Sequence, residues 1–237
     1  MDLVAFNNRF RKTKHIKVNI SMEKSKFDSN EHPSSFFDRD DESNDQTFYA
    51  EPRFVTHVDN KAINAIKQYL SQVLPKNGTI LDLMSSWRSH LPDDYRNNQT
   101  IGLGLNAEEM KDNPDLDEWV IHDLNQNPQL PFESEQFNAA ILTVSIQYVT
   151  HPIEIFRETN RILEPGSSFH IIYSNRMFPT KSIAIWKSLD MTQRASLIAS
   201  YFSYSGSWTP PKAWDFTQRD QNPTDPVNIV SASKIDS

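Results

Sequence analysis

A chain of 237 residues is long enough for one sizeable α/β domain with an extension and short for two. Its net charge of −7 gives nucleic acid or an anionic membrane little reason to bind. With no cysteine, disulfides, thiolate nucleophiles and thiolate metal sites are all excluded, and no apolar run reaches the length of a membrane span.

Residues 1–46 differ in character from the rest. Arg9, Arg11, Lys12, Lys14 and Lys17 form a basic stretch, whereas Phe37 to Asp45 is acidic. Apolar residues there are too sparse to show a period, so the expectation is a disordered N-terminal extension ahead of one folded domain over residues 47–237. No secretory apolar segment is visible, which points to the cytoplasm; an organelle is the alternative if residues 1–21 are a targeting segment rather than a solvated tail.

Order is expected to begin near Phe48. From Thr56 onward, Val58, Ala62, Ile63, Ile66, Tyr69, Leu70 and Val73 follow one face of a helix, and Pro75 to Gly78 stops it. Three short apolar runs then end in polar or small residues: Thr79 to Leu83, Thr100 to Gly104 and Trp119 to Ile121. Such runs suit parallel strands buried on both faces, whose carboxyl ends carry ligand-binding loops. Asp82 closes the first, and Asn106-Ala-Glu-Glu follows the second as a polar helix start. His122 and Asp123 close the third. Polar groups at three successive strand ends suit a nucleoside.

Ala139 to Val144, the most apolar run, is expected at the sheet centre beside the first strand. A helix over His151 to Leu163 carries Pro152 in its first turn, where the missing N–H costs little. Ser168 to Tyr173 reads as a fifth strand. Asp190 caps a helix from Met191 to about Phe202, and Val227 to Ser233 reads as a last, antiparallel strand.

These segments together resemble class I S-adenosylmethionine-dependent methyltransferases of the type 11 kind. The resemblance runs from about Phe48 to the chain end. It is carried by the strand ends between Thr79 and Asp123, by Pro131-Phe132 to Phe137-Asn138, by Ala139 to Val149 and, most specifically, by Phe156 to Gly166. It implies a doubly wound, mostly parallel, seven-stranded Rossmann-like sheet in a single domain, and S-adenosylmethionine as cofactor. Two departures stand out. The family's glycine-rich first loop has no glycine here, and the position of its ribose-binding acid falls on Gly104.

By position on that fold, Asp82, Met84, Ser85, Ser86, Asn106, Asp123, Leu124 and Ser145 are the candidate cofactor contacts. Asn106 equally suits a helix N-cap, and Asp123 an ordinary turn. Tyr49, Arg53, Asn175, Arg176 and Trp208 are candidate substrate contacts, with His57 as a base near neutral pH. His57 and Asp59 could instead simply cap the first helix. The seven histidines form no ligand spacing, so no metal is expected. Two functions follow. The first is methylation of a small molecule, without nucleic-acid or membrane partners; the oligomeric state is not legible. The alternative is a catalytically inactive methyltransferase-like binding or assembly protein, in which Trp87 and Met84 would fill the cofactor space.

Overall fold

A computed structural model describes residues 13–18, 34–95 and 98–235. The six expected strands are present as β2 (Gly78–Leu83), β3 (Asn98–Gly104), β4 (Glu118–Ile121), β5 (Phe137–Thr143), β6 (Leu163–Tyr173) and β8 (Asn228–Ser233), and two more, β1 (Lys14–Ile16) and β7 (Lys212–Asp215), join them. The helices are α1 (Asp45–Phe48), α2 (Asn60–Val73), α3 (Ala107–Lys111), α4 (Pro152–Ile162), α5 (Ala184–Ser188) and α6 (Met191–Ser205).

All eight strands share one sheet in the order β1-β7-β8-β6-β5-β2-β3-β4. The five from β4 to β6 run parallel, and β8, β7 and β1 add antiparallel pairings at the far side. The expected mostly parallel α/β sheet is present, with eight strands instead of seven. From β2 the chain winds outward through β3 to β4, then returns to place β5 on the other flank of β2. That reversal opens a crevice at the carboxyl ends of β2 and β5, the usual place for a ligand in such sheets.

Helix α2 buries Ile66, Tyr69 and Leu70 with Ile80, Ile141 and Ile172 on one face of the sheet. On the other face α4 and α6 bring Phe156, Tyr201 and Phe202 against Leu81, Leu142 and Phe169. Asp59 caps α2, its carboxylate accepting from the N–H groups of Lys61 and Ala62. Among the described residues no helix is long and apolar enough to cross a membrane.

The expectation of disorder over residues 1–46 needs correction where the chain is described. Lys14–Ile16 pairs with β7, and residues 38–48 lie along the domain as a strap. Arg9, Arg11, Lys12 and most of the candidate targeting segment lie outside the described residues. The strap is held by charge. Lys181, wholly buried, donates to the Ser43 carbonyl at 2.6 Å and stands 3.1 Å from the Asp45 carboxylate. Arg39 forks onto the same carboxylate at 2.7 and 2.8 Å, and the Asn125 amide donates to it at 2.9 Å. Burial works to raise the Asp45 pKa, but hydrogen bonds from Asn125 and Arg39 and the nearby positive charges hold it below the ordinary range. The polar sequence that lacked a hydrophobic period is ordered by buried ion pairs, which periodicity does not report.

Candidate functional site

At the carboxyl ends of β2 to β5 lies a cavity of about 250 Å³, walled by the loops after these strands and by Tyr49 to His57. Most of the expected site residues meet there. Asp82, Met84, Ser85, Ser86, Asn106, Asp123, Leu124, Ser145, Tyr49, Arg53, His57 and Arg176 all line it.

The loop after β2 reaches its shape without glycine. Met84 stands at φ 55°, in the left-handed region that favours glycine. The Ser85 N–H donates to the Leu103 carbonyl at 2.8 Å, drawing the loop down onto β3. The Ser85 hydroxyl turns inward to Asp82 at 2.7 Å, and Ser89 donates to the same oxygen at 2.6 Å. Ser85 and Ser89 therefore face Asp82, while Ser86 turns its hydroxyl to Glu109 and lines the cavity together with Met84.

Asp82 is fully enclosed, and loss of hydration pushes its pKa up to about 6 despite the two serine hydrogen bonds. The folded-state value lies above the unfolded one, so its contribution to stability is complete below about pH 4 and lost as pH rises through about 6. We expect Asp82→Asn to remove that loss, on the order of 3 kcal/mol between these limits. Urea unfolding of both proteins at pH 4.5 and pH 7 checks it; parallel pH dependences would refute the shifted Asp82.

Asp123 follows β4 and keeps one oxygen for the local turn, accepting from the N–H groups of Asn125 at 3.0 Å and Gln126 at 3.3 Å. Its other oxygen, Oδ2, is buried without a partner. Such an atom is costly unless a donor reaches it. Asn106, by contrast, is already committed. Its carbonyl caps Glu108 and Glu109, and its amide donates to the carbonyls of Tyr49 and Ala50. Asn106 is thus the N-cap of α3 and a tie to the Tyr49–Ala50 segment, and its amide hydrogens are not left for a ligand.

Arg53 half-enters the cavity inside an aromatic cage, its guanidinium 4.7 Å from the Phe48 ring, 5.4 Å from Tyr49 and 5.3 Å from Phe178. One terminal nitrogen donates to the Phe48 carbonyl at 2.8 Å, while Nη1 is buried without a partner. His57 stands at the mouth, its ring edge-to-face with Phe178 at 5.6 Å between centroids. Partial burial lowers its pKa, Glu109 works against that, and Arg53 adds to the fall. Its imidazole is therefore neutral at neutral pH and able to take a proton. The helix cap is Asp59, not His57.

Backbone strain gathers at the same place. Among the described residues five non-glycine residues have positive φ, and four of them, His57, Met84, His90 and Val144, line the cavity. Each costs about 1–3 kcal/mol and persists only where its surroundings impose it, a pattern typical of functional sites.

Two expected substrate contacts lie elsewhere. Asn175 is exposed outside the cavity, its side chain accepting only from Ser174. Trp208 is buried against Phe169 and Phe202 and donates to Ser205 at 3.0 Å, so it is core. Arg176 reaches the cavity, but its guanidinium pairs with Asp225 at 2.8 Å. Sequence reasoning passed over Glu109, whose buried carboxylate accepts from the Arg53 N–H at 2.6 Å and from the Ser86 hydroxyl. Its signal was present as the second acid of the helix start, one turn beyond Asn106. Phe178 and Tyr148, stacked 6.0 Å apart on loops after β6 and β5, had no such signal. Among the described residues no cluster of three His, Asp or Glu side chains is placed to hold a metal ion.

A family model described as a methyltransferase domain matches residues 91–171, about a third of the chain. Among solved structures, the chain is similar to one from the Haloferax volcanii complex of the Trm112 methyltransferase activator and a methyltransferase. That likeness has TM-score 0.53 and 14% identity, covering 81% of this chain and 94% of the other. It is also similar to the [4+2]-cyclase SpnF, with TM-score 0.50 and 13% identity over 72% of this chain and 80% of that one. Identities this low speak for the fold alone. Comparison with curated proteins finds no match.

Proposed function

We propose that the chain is a class I S-adenosylmethionine-dependent methyltransferase that methylates a small molecule held in the cavity at the carboxyl ends of β2 to β5; the methyltransferase-domain match over residues 91–171 and the shared fold support this reading. The observation that carries this reading is the unpartnered Asp123 Oδ2, a buried acceptor on a residue that lines the cavity at the fold's ligand-binding crevice. It fits the exocyclic amine of an adenine. Leu124 lines the cavity beside it, and the left-handed Met84 gives the first loop a backbone path glycine normally provides. At the ribose position the family acid is absent, and Glu109 is the nearby buried carboxylate able to accept further hydrogen bonds.

S-adenosylmethionine supplies the activated methyl group when bound. The chain's part is orientation, exclusion of water and, at His57, acceptance of a proton from the methylated atom. A small molecule suits an enclosed cavity with aromatic and polar walls, and the charge of −7 suits neither nucleic acid nor an anionic membrane.

The rival reading, a silent relative whose cofactor space is filled, requires Trp87 and Met84 inside the cavity; Met84 lines it. Trp87 instead lies outside it, donating to Asp112 at 2.6 Å with the Arg88 guanidinium over its ring. Calorimetry of the purified chain with S-adenosylmethionine and S-adenosylhomocysteine tests the proposal. Saturable binding of both is expected; a folded protein that binds neither would remove it in favour of the silent relative.

A further inference from the structure

Three arginines line the cavity, and two of them have other partners. Arg88 donates to the carbonyls of Trp87 and Asp112, and Arg176 pairs with Asp225. Arg53 differs. Its backbone N–H is anchored on Glu109, one guanidinium nitrogen on the Phe48 carbonyl, and its plane is held by three rings. The remaining nitrogen, Nη1, is buried and unpaired.

A guanidinium shielded from water on its faces, with a donor left over, is a prepared half of an ion pair. Aromatic faces stabilise the cation but offer Nη1 no acceptor, so the unpaired N–H still costs free energy until one arrives. The acids nearest in the cavity do not supply it. Asp45 bonds Arg39, Lys181 and Asn125, and Glu109, which keeps spare lone pairs, bonds the Arg53 backbone and Ser86; neither carboxylate makes a hydrogen bond to Nη1. The acceptor must therefore come with a ligand.

We propose that Arg53 is an anion clamp, whose caged guanidinium receives a carboxylate of the ligand through Nη1. This rests on the small-molecule methyltransferase reading of the same cavity, and it restricts what that cavity takes. Two sources carry such a group: the amino-acid end of the cofactor, and a carboxylate on the methyl acceptor. His57 shares the Phe178 wall with the cage, so an acceptor held by Arg53 has its base at hand.

The experiment uses the full chain with Arg53→Gln and Arg53→Lys. Calorimetry compares S-adenosylhomocysteine with 5′-methylthioadenosine, which has the same nucleoside thioether without the carboxylate. A second arm titrates benzoate against its amide into protein saturated with 5′-methylthioadenosine, or into protein alone if no nucleoside binds. If the cofactor supplies the anion, Arg53→Gln weakens S-adenosylhomocysteine about tenfold or more, leaves 5′-methylthioadenosine unchanged, and Arg53→Lys falls between. If the acceptor supplies it, both nucleosides bind the variant as before, while benzoate binds only the wild type and better than its amide. The clamp is overturned if folded Arg53→Gln, with an unchanged melting temperature, matches the wild type in both arms. Failure of wild-type protein to bind either nucleoside would instead overturn the methyltransferase reading, and the benzoate arm still decides the clamp.

Discussion

Asp123→Asn is expected to weaken S-adenosylhomocysteine about 100-fold, roughly 2.7 kcal/mol, with little change in melting temperature. The two oxygens of Asp123 have separate tasks. Oδ1 accepts from Asn125 and Gln126 and builds the turn, and an asparagine carbonyl can do the same. Oδ2 is buried and unpartnered, and there the substitution places an amide N–H₂. A donor would then face the amine donor of adenine, so the hydrogen bond is lost and both groups stay unsatisfied in a dry site. Sites built around one polar partner reject its mismatch strongly. The swap has a counterpart. S-inosylhomocysteine carries an oxygen where adenine has its amine, so the wild-type preference for the adenosine compound should shrink or reverse in the variant. Calorimetry of both ligands with both proteins decides it. Equal affinities for S-adenosylhomocysteine would detach Asp123 from the adenine.

Much of this was legible because strands at a parallel sheet's centre must be apolar on both faces. Ala139 to Leu142 is buried throughout, as its apolar run implied, and it pairs with β2 as the resemblance implied. Asp123 was legible by its position at a strand end. The sequence could not show which of its oxygens the turn would occupy. Asn106 carried two readings, and the N-cap prevailed because a short helix and the neighbouring Tyr49–Ala50 backbone used all of its hydrogen-bonding groups. The strap was illegible because ion pairs such as Lys181 with Asp45 lie 136 positions apart and leave no local pattern. Trp208 failed for the opposite reason. A large aromatic after the last parallel strand is as useful to a core as to a pocket, and only three-dimensional packing distinguishes them. The first loop is the most instructive case. Absence of glycine suggested a lost conformation, yet Met84 adopts the glycine-like φ, and strain took the place of composition.

That loop also fixes why the ribose acid is missing, and restoring it should destabilise the protein rather than repair the site. A Cβ added at Gly104 would stand 2.2 Å from the Ser85 carbonyl oxygen and 3.1 Å from the Met110 sulfur. The carbonyl cannot easily retreat, because the same residue is pinned by its N–H to Leu103 and by its hydroxyl to the buried Asp82. Gly104→Asp therefore forces backbone apart from backbone and adds a carboxylate beside a carbonyl dipole. We expect a loss on the order of 4 kcal/mol, which for a chain of this size lowers the melting temperature by about 8–16 °C. Gly104→Ala should show most of that loss, since the clash begins at Cβ. Thermal unfolding of both variants, followed by circular dichroism, separates sterics from charge. A Gly104→Asp protein as stable as the wild type, and binding S-adenosylhomocysteine more tightly, would mean that the loop yields. In that case the ribose site would be open in the usual manner. A destabilised variant ties the absence of the acid to the serine loop itself: with Ser85 packed on β3, only glycine fits below it, and any acid for the ribose has to come from further along the chain, where Glu109 stands.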